Sequence, residues 1–548
     1  MTELKEYRVF GPPGTGKTTY VAGQVERAAR ALGSDALMVA SFTRTAAAEL
    51  SSRNMPLGRS QVGTLHSFAY RALDRPELVY EHIALWNKEK PHLQMSGAKQ
   101  DVDHAAIDQN PETQGDGLLN QLDIYRGRRT PKDRWPASVR AFEKAWTAWK
   151  QSEGVLDFTD LIEYSLNEGT SAPGRPRIGF FDEVQDFTPL ELELVRSWGG
   201  HMDRILLAGD DDQAIFTFKG ATPDAFLDPE LPSGQVRVLE QSYRLPQRIH
   251  AMSSSWVSQL SRRFPKAYLP RDEEGRIDML RATWKAPENA LADAERRVES
   301  GQTVMFLTTC SYMLEPTKAV LRKAGLPFHN PYRRSRGDWN PLVLRDDVVT
   351  ASDRLLAFLK PQETVWGDEA EVWTWQDVWR WVELLSSKGV LKHGAKTDIR
   401  KRAMDHDVGF LPADLGDLDR MFVGDGLHQA FSGDLDWFES SMLSRNRGAL
   451  RFPVQVLRMR GAEALMGEPK VMIGTVHSVK GGQADVVYLF PDLSPAASRE
   501  WMGHPTERDA VIRQMYVGMT RARQHLVLCA PSSKWNVEMA RHIPRSKE

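Results

Sequence analysis

Two cysteines in 548 residues, Cys310 and Cys529, leave no material for a disulfide framework or a cysteine-rich metal site. Each sits in an apolar run that reads as a buried strand, which points to a reducing, intracellular setting. No uncharged stretch reaches membrane-spanning length, and the N-terminus (Met1 to Arg8) carries acids rather than the apolar segment of a signal peptide. These absences predict a soluble, cytoplasmic protein without a membrane partner. Net charge is nearly absent too, at -2, a balance in which acidic surfaces offset local basic clusters. Local basic clusters remain, at Arg126 to Arg129, Arg262 to Lys266 and Arg333 to Arg336, each of which fits a solvated loop or a phosphate-facing patch.

What is present is ordinary globular composition, 41% hydrophobic and 26% charged, on a chain long enough for two to four domains. Short β-branched runs recur between longer helical patterns: Tyr7–Phe10, Ala36–Ser41, Ile178–Phe181, Ile205–Ala208, Val304–Thr308, Val471–Val476, Val486–Phe490 and Leu526–Cys529. Strands alternating with helices predict parallel sheets, here in two groups. About 75–155 and about 335–465 are rich in Trp and helical periodicity and poor in strand-like runs, so they read as helical insertions. Trp366, Trp373, Trp375, Trp379 and Trp381 fit helical core better than a base-stacking surface.

Gly11, Pro12, Pro13, Gly14, Thr15, Gly16, Lys17 and Thr18 fit G-x-x-x-x-G-K-[ST] between a strand and a helical run. Glycines there let backbone N–H groups approach phosphate oxygens, with the helix N-terminus behind them. Lys17 is expected to reach the β- and γ-phosphates and Thr18 to place its hydroxyl on Mg²⁺. The apolar run ending in Asp182 and Glu183 has the form of a Walker-B site. Asp182 would hold the metal and Glu183 would polarise the attacking water as general base. A P-loop and an acid pair also suit a kinase, a AAA+ machine or a transporter ATPase.

Seven ordered segments decide among these: Ser41 to Glu49, Gly63 to Ser67, Asp182 to Asp186, Gly209 to Ala221, Gln241 to Arg244, Gly474 to Gly481, and Tyr516 to Arg523. Together they closely resemble superfamily 1 helicases of the UvrD/Rep type, over both α/β cores but not the insertions. The resemblance implies an ATP- and Mg²⁺-dependent motor on single-stranded DNA and duplex junctions, travelling 3′-to-5′, of the kind that serves DNA repair or replication. It implies two RecA-like parallel-sheet cores: the first at 1–75 and 156–235 with an insertion at 76–155, the second at 236–335 and 466–548 with an insertion at 336–465. By the same resemblance Arg244 and Arg521 act as arginine fingers, Gln213 senses the γ-phosphate and Tyr243 stacks on the nucleotide base. Phe42 and Phe218 would stack or pocket bases, while Thr43, Arg44, Thr64, His66 and His477 contact the strand and Lys219 adds charge.

Departures from the family carry their own expectations. Phe218 replaces a tryptophan and offers a smaller ring face. Gly482 and Gln483 stand where Leu-Glu is common, removing a carboxylate from the nucleotide sugar, and only Met1 to Glu6 precede the first strand, where the family's adenine-reading glutamine lies; relaxed base selection is therefore expected. Alternatives from other classes are a translocase that strips proteins and unwinds poorly, a helicase–nuclease fusion disfavoured by the short tail after Arg523, and a non-catalytic DNA-binding protein disfavoured by the full hydrolysis set.

Overall fold

The structure, a computed structural model, describes residues 5–42, 56–96, 113–334, 336–342 and 349–545. Its fold is α/β, with two RecA-like parallel-sheet cores, each interrupted by a mainly helical insertion. The chain divides into two compact units, one drawn from residues 1–280, 307–311 and 475–548, the other from 281–306 and 312–474.

In the first unit, β1 (Glu6–Phe10), β2 (Leu37–Ser41), β3 (Val62–Thr64), β4 (Ile178–Asp182), β5 (Arg204–Gly209) and β6 (Val236–Val238) form a parallel sheet in the order β3-β2-β4-β5-β1-β6. β2 and β4 are buried along their whole length, as a sheet covered on both faces requires, which is why they read as continuous apolar runs. Phe10 pairs with Gly209 and Ser41 with Asp182, so the C-terminal ends of adjacent strands carry the P-loop, the acid pair and the Asp210 to Gln213 segment side by side. Ligands of open α/β sheets bind at that edge.

The same unit holds β7 (Gln241–Pro246) paired in parallel with β8 (Leu269–Arg271), and a parallel group in which β9 (Arg276–Leu280) and β13 (Ala484–Leu489) flank β14 (Ala522–Cys529). Its insertion packs Trp86, Phe142, Trp146 and Trp149 into an aromatic core. Truncating any one of these would cost about 3–5 kcal/mol.

The second unit pairs β11 (Phe328–His329) with β12 (Val471–Thr475) and carries helices from Ala351 to Arg460. Trp373, Trp375 and Trp381 are buried, with Trp381 against Phe358 and Phe422, as expected of helical core. β10 is Val304–Thr308, so Cys310 lies past the strand and is only partly buried, whereas Cys529 ends β14 inside the core. No helix among the described residues is long and apolar enough to cross a membrane.

Two basic clusters each turn one cation into a buried ion-pair network, while Arg128, Arg129 and Arg262 stay exposed. Arg126 is buried against Asp157, Asp160 and Glu163. Lys266, with a side chain 1% exposed, sits among Asp210, Asp211 and Asp212, while Arg263 also pairs with Asp212. Cations in apolar surroundings stay charged when carboxylates enclose them, and these carboxylates come from distant sequence. Arg262 pairs with Asp224 and Asp228 at the surface. In the third cluster, Arg334 lies 3.7 Å from Glu468.

Candidate nucleotide and nucleic-acid site

The loop after β1 is shaped by Gly14 and Gly16, both at φ +76°. Gly14 is doubly constrained, since a Cβ there would lie 2.4 Å from the Arg244 Cβ. Helix α1 (Lys17–Leu32) starts with no side-chain cap on its first N–H groups, which leaves them available to an anion. Behind the loop, Gly11 N–H donates to the Gly209 carbonyl at 2.9 Å, tying it to β5. In front, Ser242 Oγ and the Tyr268 hydroxyl both donate to the Pro13 carbonyl, at 2.9 and 2.7 Å, and Tyr243 N–H donates to the Gly14 carbonyl at 2.8 Å.

Lys17 is buried and paired with both acids, bonding Glu183 and lying 3.2 Å from Asp182. Burial alone would lower its pKa, but the two carboxylates outweigh it and hold the ammonium above the ordinary lysine value. Glu183 faces the same contest: burial favours its neutral form, yet Lys17 and Lys480 hold it well below the usual carboxylate range. Asp182 goes the other way, raised by burial and by the neighbouring Glu183 charge. Thr18 Oγ1 donates to Asp182 Oδ2 at 3.4 Å. A hydroxyl beside a buried carboxylate is the oxygen donor set a hard divalent cation takes, so these two residues fit Mg²⁺. Glu183 adopts left-handed backbone, φ +57°, rare for a residue with a side chain, which turns it out of the strand toward Lys17.

The arginines converge on the same edge. Arg521, 1% exposed, donates to the Val517 and Gly482 carbonyls and, from Nη2, to Gln213 Oε1 at 3.1 Å. Gln213 in turn donates to Asp210 Oδ2 at 2.8 Å. Arg244 donates to Gln483 Oε1 at 2.9 Å and to the Thr520 carbonyl at 3.3 Å. Tyr243 is 74% exposed, so its ring is free to meet a flat base. Lys480, in the Gly474 to Gly481 segment, joins the site as well: its ammonium bonds Asp186 and the Gln213 carbonyl and lies 3.5 Å from Glu183. Sequence alone does not single out Ser242, Tyr268 or Lys266, because nothing local marks a side chain whose partner is 50 or more residues away; Lys266 reaches Asp211 across 55.

Phe216, Phe218 and His477 form a ring cluster, with the Phe218 and His477 rings perpendicular at 5.1 Å and Lys219 above the Phe216 ring. Three expected strand contacts are placed differently. Phe42 is 8% exposed, packed against Phe187 and Phe216, so its ring faces are taken by protein. Thr64 is occupied as the cap of helix Leu65–Ala72, accepting from Ser67 N–H. His66 is largely buried against Phe158 near Glu191, and burial lowers its pKa, favouring the neutral ring. Thr43 and Arg44 lie outside the described residues.

Comparison with known proteins covers the same segments. The model of the UvrD/REP helicase N-terminal domain matches residues 2–231, and that of the UvrD-like helicase C-terminal domain matches 470–529. The chain is 25% identical to the ATP-dependent DNA helicase UvrD2 of Mycobacterium tuberculosis (strain H37Rv), over 95% of this chain and 76% of that protein. It is 29% identical to the ATP-dependent DNA helicase Rep of Salmonella typhimurium, over 44% of this chain and 39% of that one. With the phosphate loop, the acid pair and both arginines gathered on one edge and these matches spanning the same segments, the chain belongs to the UvrD/Rep helicase family.

Proposed function

We propose that this protein is an ATP-dependent DNA helicase that translocates on single-stranded DNA in the 3′-to-5′ direction. The observation that carries the reading is the bond from Arg521 to Gln213, which joins a candidate arginine finger to a candidate γ-phosphate sensor beside Lys17 and Glu183. The cores at 1–75 with 156–235 and at 236–335 with 466–548, and the insertions between their parts, are the division we adopt.

In this reading the P-loop amides and Lys17 bind the β- and γ-phosphates, so Lys17 leaves its two carboxylates when nucleotide enters. Thr18 and Asp182 would hold Mg²⁺, which when bound neutralises charge on the phosphate oxygens. Glu183, kept ionised by Lys480 once Lys17 turns to phosphate, accepts a proton from the attacking water. Arg521 and Arg244 stabilise charge developing on the transferred phosphoryl group, and Gln213 registers its departure. Phe218 and His477 present ring and imidazole to the strand, with Lys219 beside them, contacts that suit a motor indifferent to sequence.

Unwinding of 3′-tailed against 5′-tailed duplexes, with ATPase measured in the presence and absence of single strands, tests the whole reading. Hydrolysis unaffected by DNA, or unwinding only from 5′ tails, would overturn it.

A further inference from the structure

Helix Pro505–Met519 places two consecutive buried side chains in different parts of the site. Arg513 Nε donates to the Asp211 carbonyl at 2.9 Å, gripping the turn that carries Gln213. Gln514, the next residue and pointing about 100° away around the helix, reaches the end of β10 and His477 instead: its Nε2 lies 3.3 Å from the Thr309 carbonyl and 3.4 Å from His477 Nδ1. The opposite ring nitrogen, Nε2, lies 3.2 Å from the Ile215 carbonyl.

Hydrogen-bond chemistry orders these contacts. A carbonyl only accepts, so Thr309 fixes the nitrogen of the Gln514 amide toward itself and His477, since the flipped amide would set two acceptors face to face. That nitrogen donates to His477 Nδ1, which must therefore be bare. Ile215 likewise accepts, so His477 carries its proton on Nε2. Among the described residues, the cations at hand are Lys219 and Lys480, whose ammoniums sit over the adjacent Phe216 ring, and Arg513 on the helix. The His477 ring so fixed stands edge-on to Phe218.

We propose that Gln514 is a positioning residue: it holds His477 in its Nε2–H tautomer, braces Phe218 through it, and so links the sensor turn gripped by Arg513 to the strand-gripping face. The activity consequence rests on the motor reading above, whereas the tautomer does not. Nitrogen-15 spectra of histidine-labelled full-length protein, with His477 assigned from the His477→Gln variant, should show the Nε2–H pattern at pH 7.5. Gln514→Leu should lose that single pattern and lower oligo(dT)-stimulated turnover by about five- to tenfold, a typical coupling between sites, with DNA-free turnover and the KM for ATP within about twofold of wild type. Gln514→Glu, which keeps the side-chain length, should favour a protonated His477 and make oligo(dT) stimulation vary between pH 6 and 8 where wild type is flat.

An Nδ1–H or protonated His477 in the wild type at pH 7.5 would overturn the proposal whatever the kinetics. Equal loss of DNA-free and stimulated turnover in Gln514→Leu would do the same for the link between sites, reducing Gln514 to a packing residue. Should the Leu variant fail to fold, the wild-type spectrum and the Gln514→Glu pH profile decide the matter. A wild type with the Nε2–H pattern but no DNA stimulation would sink the motor reading and leave the His477 assignment standing.

Discussion

Arg521 and Gln213 share a hydrogen bond of 3.1 Å although 308 residues separate them. Arg521→Lys keeps the charge but loses the fork that serves Gln213, Val517 and Gly482 together. We expect turnover to fall by about a thousandfold, the low end for an arginine finger, with the KM for ATP changing by less than about fivefold. Steady-state ATPase assays with saturating DNA check this. A variant hydrolysing at near wild-type rate would remove Arg521 from the reaction.

Lys17→Ala and Glu183→Gln should both abolish turnover but separate in binding. Loss of the ammonium weakens nucleotide affinity, whereas the amide leaves affinity largely intact and lowers turnover by about 10²–10⁴-fold. Titration with a fluorescent nucleotide distinguishes them, and weak binding by Glu183→Gln would contradict its assignment as base.

Phe218→Ala should weaken the grip on oligo(dT) by about 1–3 kcal/mol, the cost of one base–aromatic stack, with ATPase in the absence of DNA little changed. Fluorescence anisotropy gives the affinity. A matching loss of DNA-free ATPase would instead mark Phe218 as core.

Lys266→Met should be among the most destabilising single changes, by about 3–5 kcal/mol at pH 7.5, because it removes the cation that three buried aspartates share and leaves only Asp212 paired, with Arg263. The defect should shrink in acid. Asp211, raised to about 6 mainly by burial, binds a proton more readily folded than unfolded, so it favours the fold below the ordinary carboxylate range and loses that effect as pH rises through about 6. Removing Lys266 takes away the charge that opposes this rise, so the Asp211 pKa climbs further and the loss moves to higher pH. Thermal melts at pH 5.5 and 7.5 should therefore show a smaller gap from wild type at the lower value; equal gaps would mean that the cluster is not ionised as described.

Legibility in the sequence followed the range of the forces involved. β2, β4 and β5 after Arg204 are near-continuous apolar runs because both faces of their sheet are covered, and a run of that kind is visible locally. β7 and β8, read as Gln-Ser-Tyr-Arg-Leu-Pro and Leu-Pro-Arg, carry no such pattern, since they are partly exposed. The P-loop and acid pair were legible because phosphate chemistry fixes both residue types and their flanks. Thr64 and Phe42 show the limit: motif position identified them, but helix capping and ring packing already occupy their side chains. Arg263 and Lys266 looked like solvent-facing charge until the fold brought Asp210 to Asp212 against them.

The hold on Pro13 and Gly14 by Ser242, Tyr243 and Tyr268 has a pharmacological consequence. Those contacts use main-chain carbonyls of the loop and leave its amide face to the nucleotide. A small molecule wedged between the two segments would distort the phosphate cradle without imitating a triphosphate, and so would not have to occupy the nucleotide's own place. Resistance by substitution at Gly14 would be hard to reach, since its positive φ and the Arg244 Cβ both exclude a side chain.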